Sequence, residues 1–274
     1  MLEIPESKTI SLQAGKTLLN KRITKVFNAT SQHKFAFYNG DPLKYPDILE
    51  GRQLISAKGH GMFVDLCFDK DTYLSIGDGT NMRYFLPSDQ VPDKYQLLIT
   101  FDDNSCIVFN VAMYGGIWAY ENCFDNKYHQ RSLNSISPLD DAFSEEYFDN
   151  LIRSVTKDLS AKALLATEQR IPGIGNGVLQ DILFNSGINP KRKKSTISDP
   201  ELNRLFRSIK VTLKMMTDLG GRDTEKDFFG KNGKYKTLLS KNTVQQPCPK
   251  CGESIRKEAY MGGAVYFCPS CQKL

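Results

Sequence analysis

Four cysteines fall within the last 27 residues of this 274-residue chain: Cys248 and Cys251 in CPKC, Cys268 and Cys271 in CPSC, with sixteen residues between the pairs. The C-x2-C-x16-C-x2-C spacing lets two tight turns each present a pair of thiolates to one tetrahedral Zn²⁺. Two disulfides or free thiols are the alternative for the same residues. Four thiolates fill the coordination shell and leave no place for a reactive water, so a zinc ion here is structural. Its binding energy is folding energy for a segment too small to stabilise itself by burial.

Other reactive constellations are scarce. The three histidines, His33, His60 and His129, stand alone in the sequence, which argues against a Ser-His-Asp triad or a histidine-rich hydrolytic metal site. No G-x-x-x-x-G-K-[ST] phosphate loop occurs. The run GIGNG at 173–177 follows a helical pattern rather than a strand, so it is not a dinucleotide fingerprint. A glycine turn that opens a helix exposes N–H groups at the positive end of the helix dipole. The segment therefore suits a phosphate held by Gly175 and Asn176, or equally a tight packing turn with Asn176 as an ordinary cap.

The elements that must position these residues change character along the chain. Apolar runs at 34–40, 61–68, 72–79, 95–101 and 106–118 are separated by turn residues and predict a β-sandwich or barrel, preceded by one helix over 6–19. From 144 the pattern turns helical, with helices expected over 144–159, 160–167, 176–187 and 199–219. The fold class is thus α+β, with a β domain over 1–134, a helical domain over 135–240 and a zinc module over 241–274. No run of eighteen apolar residues and no apolar signal core occurs, so a cytoplasmic protein without membrane contact is expected. The formal charge is +5, with 14 Lys and Arg against 16 acids in residues 1–140 and 22 against 15 thereafter. A basic half that carries a zinc module suits a polyanion such as DNA. The run Lys191-Arg192-Lys193-Lys194 is either part of that footprint or a solvated loop.

The β-rich first half, the helix–two-turn–helix with GIGNG and the terminal four-cysteine finger together resemble the formamidopyrimidine-DNA glycosylase and endonuclease VIII family. MLEIPE is similar to that family's Met-Pro-Glu-Leu-Pro-Glu opening, and SPLDDAF (137–143), ILFNSGINP (182–190) and LGGRDTEKDF (219–228) extend the likeness over the whole chain. The resemblance implies a monomeric base-excision repair enzyme, working at the bacterial nucleoid, that flips a damaged base out of duplex DNA and cuts its bond to the sugar. It also implies strand cleavage through a Schiff base on an N-terminal proline. Carried onto this sequence, Glu3 becomes the general acid/base beside the sugar, Lys58 a phosphate contact or catalytic aid, Asn176 a holder of the phosphate backbone, and Lys162 a contact to the damage.

Several residues depart from the family pattern. Leu2 stands where the proline belongs, so Met1 is expected to remain and its amine to lie one residue out of register. Asp78 replaces the methionine that fills the gap left by a flipped base, and Val111-Ala112-Met113-Tyr114 replaces Pro-Arg-Arg-Phe. In Tyr260-Met261-Gly262-Gly263-Ala264 a glycine takes the place of the finger's arginine. These changes predict a glycosylase with weak or absent strand cleavage. The alternative is a zinc-finger protein that binds damaged or branched DNA without chemistry. A zinc-dependent transcription or translation factor is a third class, and it has no need of the MLEIPE frame.

Overall fold

In the computed structural model, which describes residues 1–274, the N-terminal segment is the piece on which both domains close. Helix α1 (Ile4–Leu18) starts with proline in its first turn, where a missing N–H costs nothing. Strands β1 (Ile23–Asn28), β2 (Ala36–Tyr38), β3 (Leu54–His60), β4 (Phe63–Phe68), β5 (Thr72–Phe85), β6 (Leu97–Phe101) and β7 (Cys106–Glu121) follow, with a short helix α2 (Tyr45–Leu49) before β3. They form one seven-stranded sheet in the order β1-β6-β7-β5-β4-β3, with β2 added parallel to β7. The long strands β5 and β7 pair along almost their whole length, and the register shifts between Asp78 and Thr80. That bulge bends the sheet, because an unpaired residue kinks its strand. The two halves enclose a core of 24 residues that includes Leu66, Ile76, Ile99 and Phe109.

Helix α3 (Lys127–Asn134) packs on the β domain through His129, and the helical domain contains α4 (Glu145–Arg153), α5 (Ala161–Ala166), α6 (Asn176–Ser186) and α7 (Asp199–Asp218). Local signals set their ends. The Ser144 hydroxyl accepts the Tyr147 amide, Ser198 and Glu201 form a reciprocal capping box, and Gly187 stops α6 at φ 74°. A second core of 20 residues, among them Phe148, Leu179, Leu183 and Leu213, holds the helices together. Beyond it, strands β8 (Arg256–Tyr260) and β9 (Gly263–Phe267) make a hairpin that pairs Arg256 with Phe267. Its turn residues Met261 and Gly262 both have positive φ, as a two-residue hairpin turn requires. No helix is long and apolar enough to cross a membrane.

Residues 2, 3 and 4 are divided between these units. Leu2 belongs to the β core and Ile4 to the helical core, so Glu3 sits between them. The backbone follows the same division: the Leu2 amide donates to the Asp78 carbonyl at 3.2 Å and the Ile4 amide to the Gly173 carbonyl at 3.1 Å. Strand β3 fixes the position of α1. Gly59 passes so close that a methyl group there would lie 2.3 Å from the Ser7 carbonyl oxygen. Gly59→Val is therefore expected to lower stability by about 2–3 kcal/mol through forced overpacking, as read by urea unfolding, whereas Gly15→Ala, whose methyl group would meet only ordinary contacts at 3.7 Å, should not lower the midpoint.

Candidate active site at the domain junction

Glu3 is fully buried. Its Oε1 accepts the Gly177 amide at 2.9 Å and its Oε2 the Val178 amide at 2.7 Å. These are orphan donors of the first turn of α6, at the end where the helix dipole favours an anion. The anion on the GIGNG turn is thus the protein's own carboxylate. The glycines of that run leave room for it. A methyl group on Gly175 would fall 2.6 Å from Glu3 Oε1, and one on Gly177 would fall 1.5 Å from Arg222 Nη1. A phosphate at this turn would find the Gly177 and Val178 amides occupied, and Gly175 lets the Glu3 carboxylate approach.

Arg222 completes the cluster and had no counterpart in the sequence reading. It is the largest fully buried side chain, bonded to Glu6 through Nε at 2.9 Å and Nη2 at 2.8 Å, with Nη1 at 3.4 Å from Glu3 Oε2. Burial pushes the Glu3 carboxyl above the ordinary glutamate range, against the pull of Arg222 and the two amides. An upward shift makes the carboxyl easier to protonate, the direction a general acid/base requires.

The N-terminal amine is not at this cluster's centre. The Met1 ammonium pairs with Glu225, and the Leu2 nitrogen is a buried amide. The two acids that organise the segment, Glu6 and Glu225, were given no role by sequence, although MLEIPE contains the first and LGGRDTEKDF the second. Lys58 is not brought to Glu3. Ala57 and Gly59 face α1, and Lys58 between them projects exposed from the opposite face of β3.

Lys162 is buried rather than solvated, with its Nζ donating to the Tyr260 carbonyl at 2.7 Å and burial lowering its pKa. Asn176 Nδ2 donates to the Ala264 carbonyl at 3.0 Å, leaving its Oδ1 buried and unpartnered. Both side chains tie the helical domain to the β8–β9 hairpin. The basic run is likewise engaged: Lys191 pairs with Glu258, Arg192 with Glu201, and Lys193 and Lys194 donate to the Asp158 and Val155 carbonyls. Asp78 is half-buried at φ 40°, and burial raises its pKa, so it is not an open charge facing a polyanion.

The histidines do not stand alone in space. His60 Nε2 and His129 Nε2 lie 2.9 Å and 3.0 Å from the Asp65 carboxylate, which also accepts the Ser75 hydroxyl at 2.6 Å. Although Asp65 is buried, these bonds hold its carboxyl far below the usual range. The sixty-odd residues separating the histidines hid this cluster from the sequence.

The four cysteine sulfurs lie within 4.8 Å of one another, with Cys248–Cys271 at 3.8 Å and Cys251–Cys268 at 3.4 Å. A tetrahedral thiolate site with Zn–S near 2.3 Å has sulfur–sulfur edges of about 3.8 Å. These residues fit a metal ion.

Comparison with known proteins accords with this geometry. Residues 135–227 match the family model described as the formamidopyrimidine-DNA glycosylase H2TH domain. The formamidopyrimidine-DNA glycosylase of Mycoplasma mobile is 25% identical over 100% of both chains, and that of Acinetobacter baylyi 28% over 100% of this chain and 99% of its own. Among solved structures, the MutM (Fpg) protein of Thermus thermophilus superposes with a TM-score of 0.81 at 21% identity, covering 98% of each chain. The Lactococcus lactis Fpg in complex with abasic-site DNA gives a TM-score of 0.85 at 20% identity, over 99% of this chain and 100% of that one. The chain thus shares the fold of these solved structures and is similar over its whole length to proteins named formamidopyrimidine-DNA glycosylase.

Removing Arg222 leaves Glu3 and Glu6 buried without their counter-charge. Arg222→Met is therefore expected to cost about 3–5 kcal/mol of stability, measured by urea unfolding, whereas Lys214→Met, which loses an ion pair exposed on both sides to Asp218, should cost under about 1 kcal/mol.

Proposed function

We propose that this protein is a DNA repair glycosylase that excises a damaged base from DNA and cleaves the strand poorly or not at all. The observation that carries the reading is Glu3, a buried carboxyl fixed on the first turn of α6 where the two domains meet. Full-length relatives named as formamidopyrimidine-DNA glycosylases support it. In this reading the base is flipped from the duplex, water adds at the sugar carbon as the glycosidic bond breaks, and Glu3 stabilises the oxocarbenium-like sugar. Strand cleavage by elimination needs an amine placed to form a Schiff base. Here the available amine, on Met1, is held by Glu225, and Leu2 is packed into the β core.

The partner is damaged or distorted duplex DNA, met by a monomer in the bacterial cytoplasm. Lys58 is retained as a phosphate contact distant from the chemistry. Asn176, with its free Oδ1, and Lys162 position the hairpin and through it the DNA backbone. The four cysteines hold one structural Zn²⁺, which supplies folding energy and no reactive ligand position.

A second reading is favoured by one feature. Glu3 is sealed from solvent and paired with Arg222, an arrangement equally suited to a protein that recognises DNA without cutting it.

Against a panel of oxidised and alkylated bases in duplex DNA, the unmodified protein is expected to release at least one base while trapping weakly on borohydride reduction. Glu3→Gln should abolish release, and Glu225→Ala should increase trapping by freeing the Met1 amine. Tight DNA binding with no release from any lesion would establish the second reading. Metal analysis should find about one zinc per chain. Cys268→Ser should lose it and unfold the hairpin, and less than half an equivalent in the unmodified protein would refute the zinc site.

A further inference from the structure

His60 closes strand β3, Asp65 lies in β4 and His129 in α3, so three elements each send one metal-ligating side chain to a single point. Both imidazoles present Nε2 to the Asp65 carboxylate, His60 at 2.9 Å and His129 at 3.0 and 3.1 Å from its two oxygens. The cluster is interior, with Asp65 5% and His129 2% exposed. A buried carboxylate needs a counter-charge or a metal. No lysine or arginine reaches Asp65. Its ion-pair partners are the two histidines, which carry charge only when protonated.

Ligand atoms held at about 2.0–2.2 Å from a tetrahedral ion stand roughly 3.3 Å apart. The nitrogen–oxygen separations here fall short of that by a few tenths of an ångström, as hydrogen bonds in the ion's place would make them. The surroundings fix the groups as an outer shell fixes metal ligands. His60 Nδ1 meets the Ser132 hydroxyl at 3.0 Å, and Asp65 Oδ1 accepts the Ser75 hydroxyl at 2.6 Å, which leaves Oδ2 for an ion. His129 stands edge-on to Phe63 and Phe124, each with ring centroids 5.2 Å away. Its Nδ1 is buried without a partner, so either tautomer leaves that nitrogen unpaired and moving the proton off Nε2 costs little. In His60 the Ser132 oxygen can accept the same proton. His60 also lines a cleft of about 410 Å³, whose charged lining groups are Lys8, Asp140 and Asp141, and this gives a cation its way in.

We propose that His60, Asp65 and His129 bind one divalent cation of the zinc type through Nε2, Oδ2 and Nε2, with water from the cleft completing its shell. Imidazole suits zinc and its neighbours in the first transition series, whereas magnesium takes oxygen ligands. The site is separate from the four cysteines and from Glu3. An ion there ties α3 to β3 and β4, and so pins the segment through which the chain leaves the sheet for the helical domain.

The chain has three histidines, so ¹⁵N–¹H spectra of the imidazoles read each one, with His33 between β1 and β2 as an internal control. These signals report the cluster whatever the four cysteines hold. When Zn²⁺ is titrated into the full-length protein, the His60 and His129 signals should shift together, with the proton on Nδ1 and Nε2 bound to metal. The shift should saturate at about one ion per chain beyond any held by the cysteines, a count that metal analysis checks, and Mg²⁺ should leave both rings unchanged. Ser132→Ala should weaken zinc binding at this site by about 10–100-fold with the circular dichroism unaltered. His60→Asn, made at the more exposed of the two rings, should abolish the shift of His129. Unmoved His60 and His129 signals under excess Zn²⁺, or a shift confined to His33, would overturn the proposal and leave the cluster a hydrogen-bonded clamp. Zinc binding undiminished in His60→Asn would overturn it as well.

Discussion

One buried ion cluster holds the molecule's two halves in register: Glu3 on the amide donors of α6, with Arg222 between Glu3 and Glu6. Burying three charged groups is unfavourable unless nearly every hydrogen-bonding position is met. Here Glu3 takes two backbone amides, and Glu6 takes the Arg222 backbone and guanidinium. The requirement propagates outward. Glycine is needed at 175 and 177 so that the carboxylate and guanidinium can approach the helix. Leu2 and Ile4 must enter different cores so that the residue between them reaches the junction.

The same logic extends to the four-cysteine module. Lys162, Asn176 and Gln180 all bond the β8–β9 hairpin, the last through the Tyr266 amide and the Ala264 carbonyl. Phe184 at the far end of α6 joins Cys248, Ile255 and Cys268 in a small separate core. Helix α6 thus has three attachments: the Glu3 carboxylate at its start, the hairpin along one side and the cysteine module at its end. A disturbance at any one of them is transmitted along a rigid, fully hydrogen-bonded rod.

Features carried by short stretches of sequence were legible. The four-cysteine spacing, the MLEIPE frame and the stop at Gly187 each depend on residues close together in the chain. The strand over 106–118 was found because its apolar run is long, and the structure extends it to Glu121. Strands β1 and β3 were missed because each exposes most of its side chains, leaving Ile23 and Val26 in one and Leu54 in the other as the fully buried residues. The site was harder. Arg222 meets Glu6 across 216 residues, and His129 meets Asp65 across 64. No local pattern marks either residue as one of a pair. The GIGNG run allowed two readings because glycine makes room equally for an external phosphate and an internal carboxylate. Only the distance to Glu3 separates them.

The Met1–Glu225 and Glu6–Arg222 pairs bear on how the chain is made. Glu3 and Glu6 find their partners among residues 177–222, so the junction end of α1 cannot be completed until Arg222 has been made. At about 5–20 residues per second, the 216 residues between Glu6 and Arg222 take roughly 10–45 s to synthesise. Throughout that time Ile4 is without its native core, whereas Leu2 and Ile10 already have theirs in the β domain. The β domain can form early around the other side of α1, but the acids at 3 and 6 stay hydrated until Arg222 arrives. Assembly of the junction is therefore a late step, and one that a chaperone or a slowed ribosome would affect more than any change within either core.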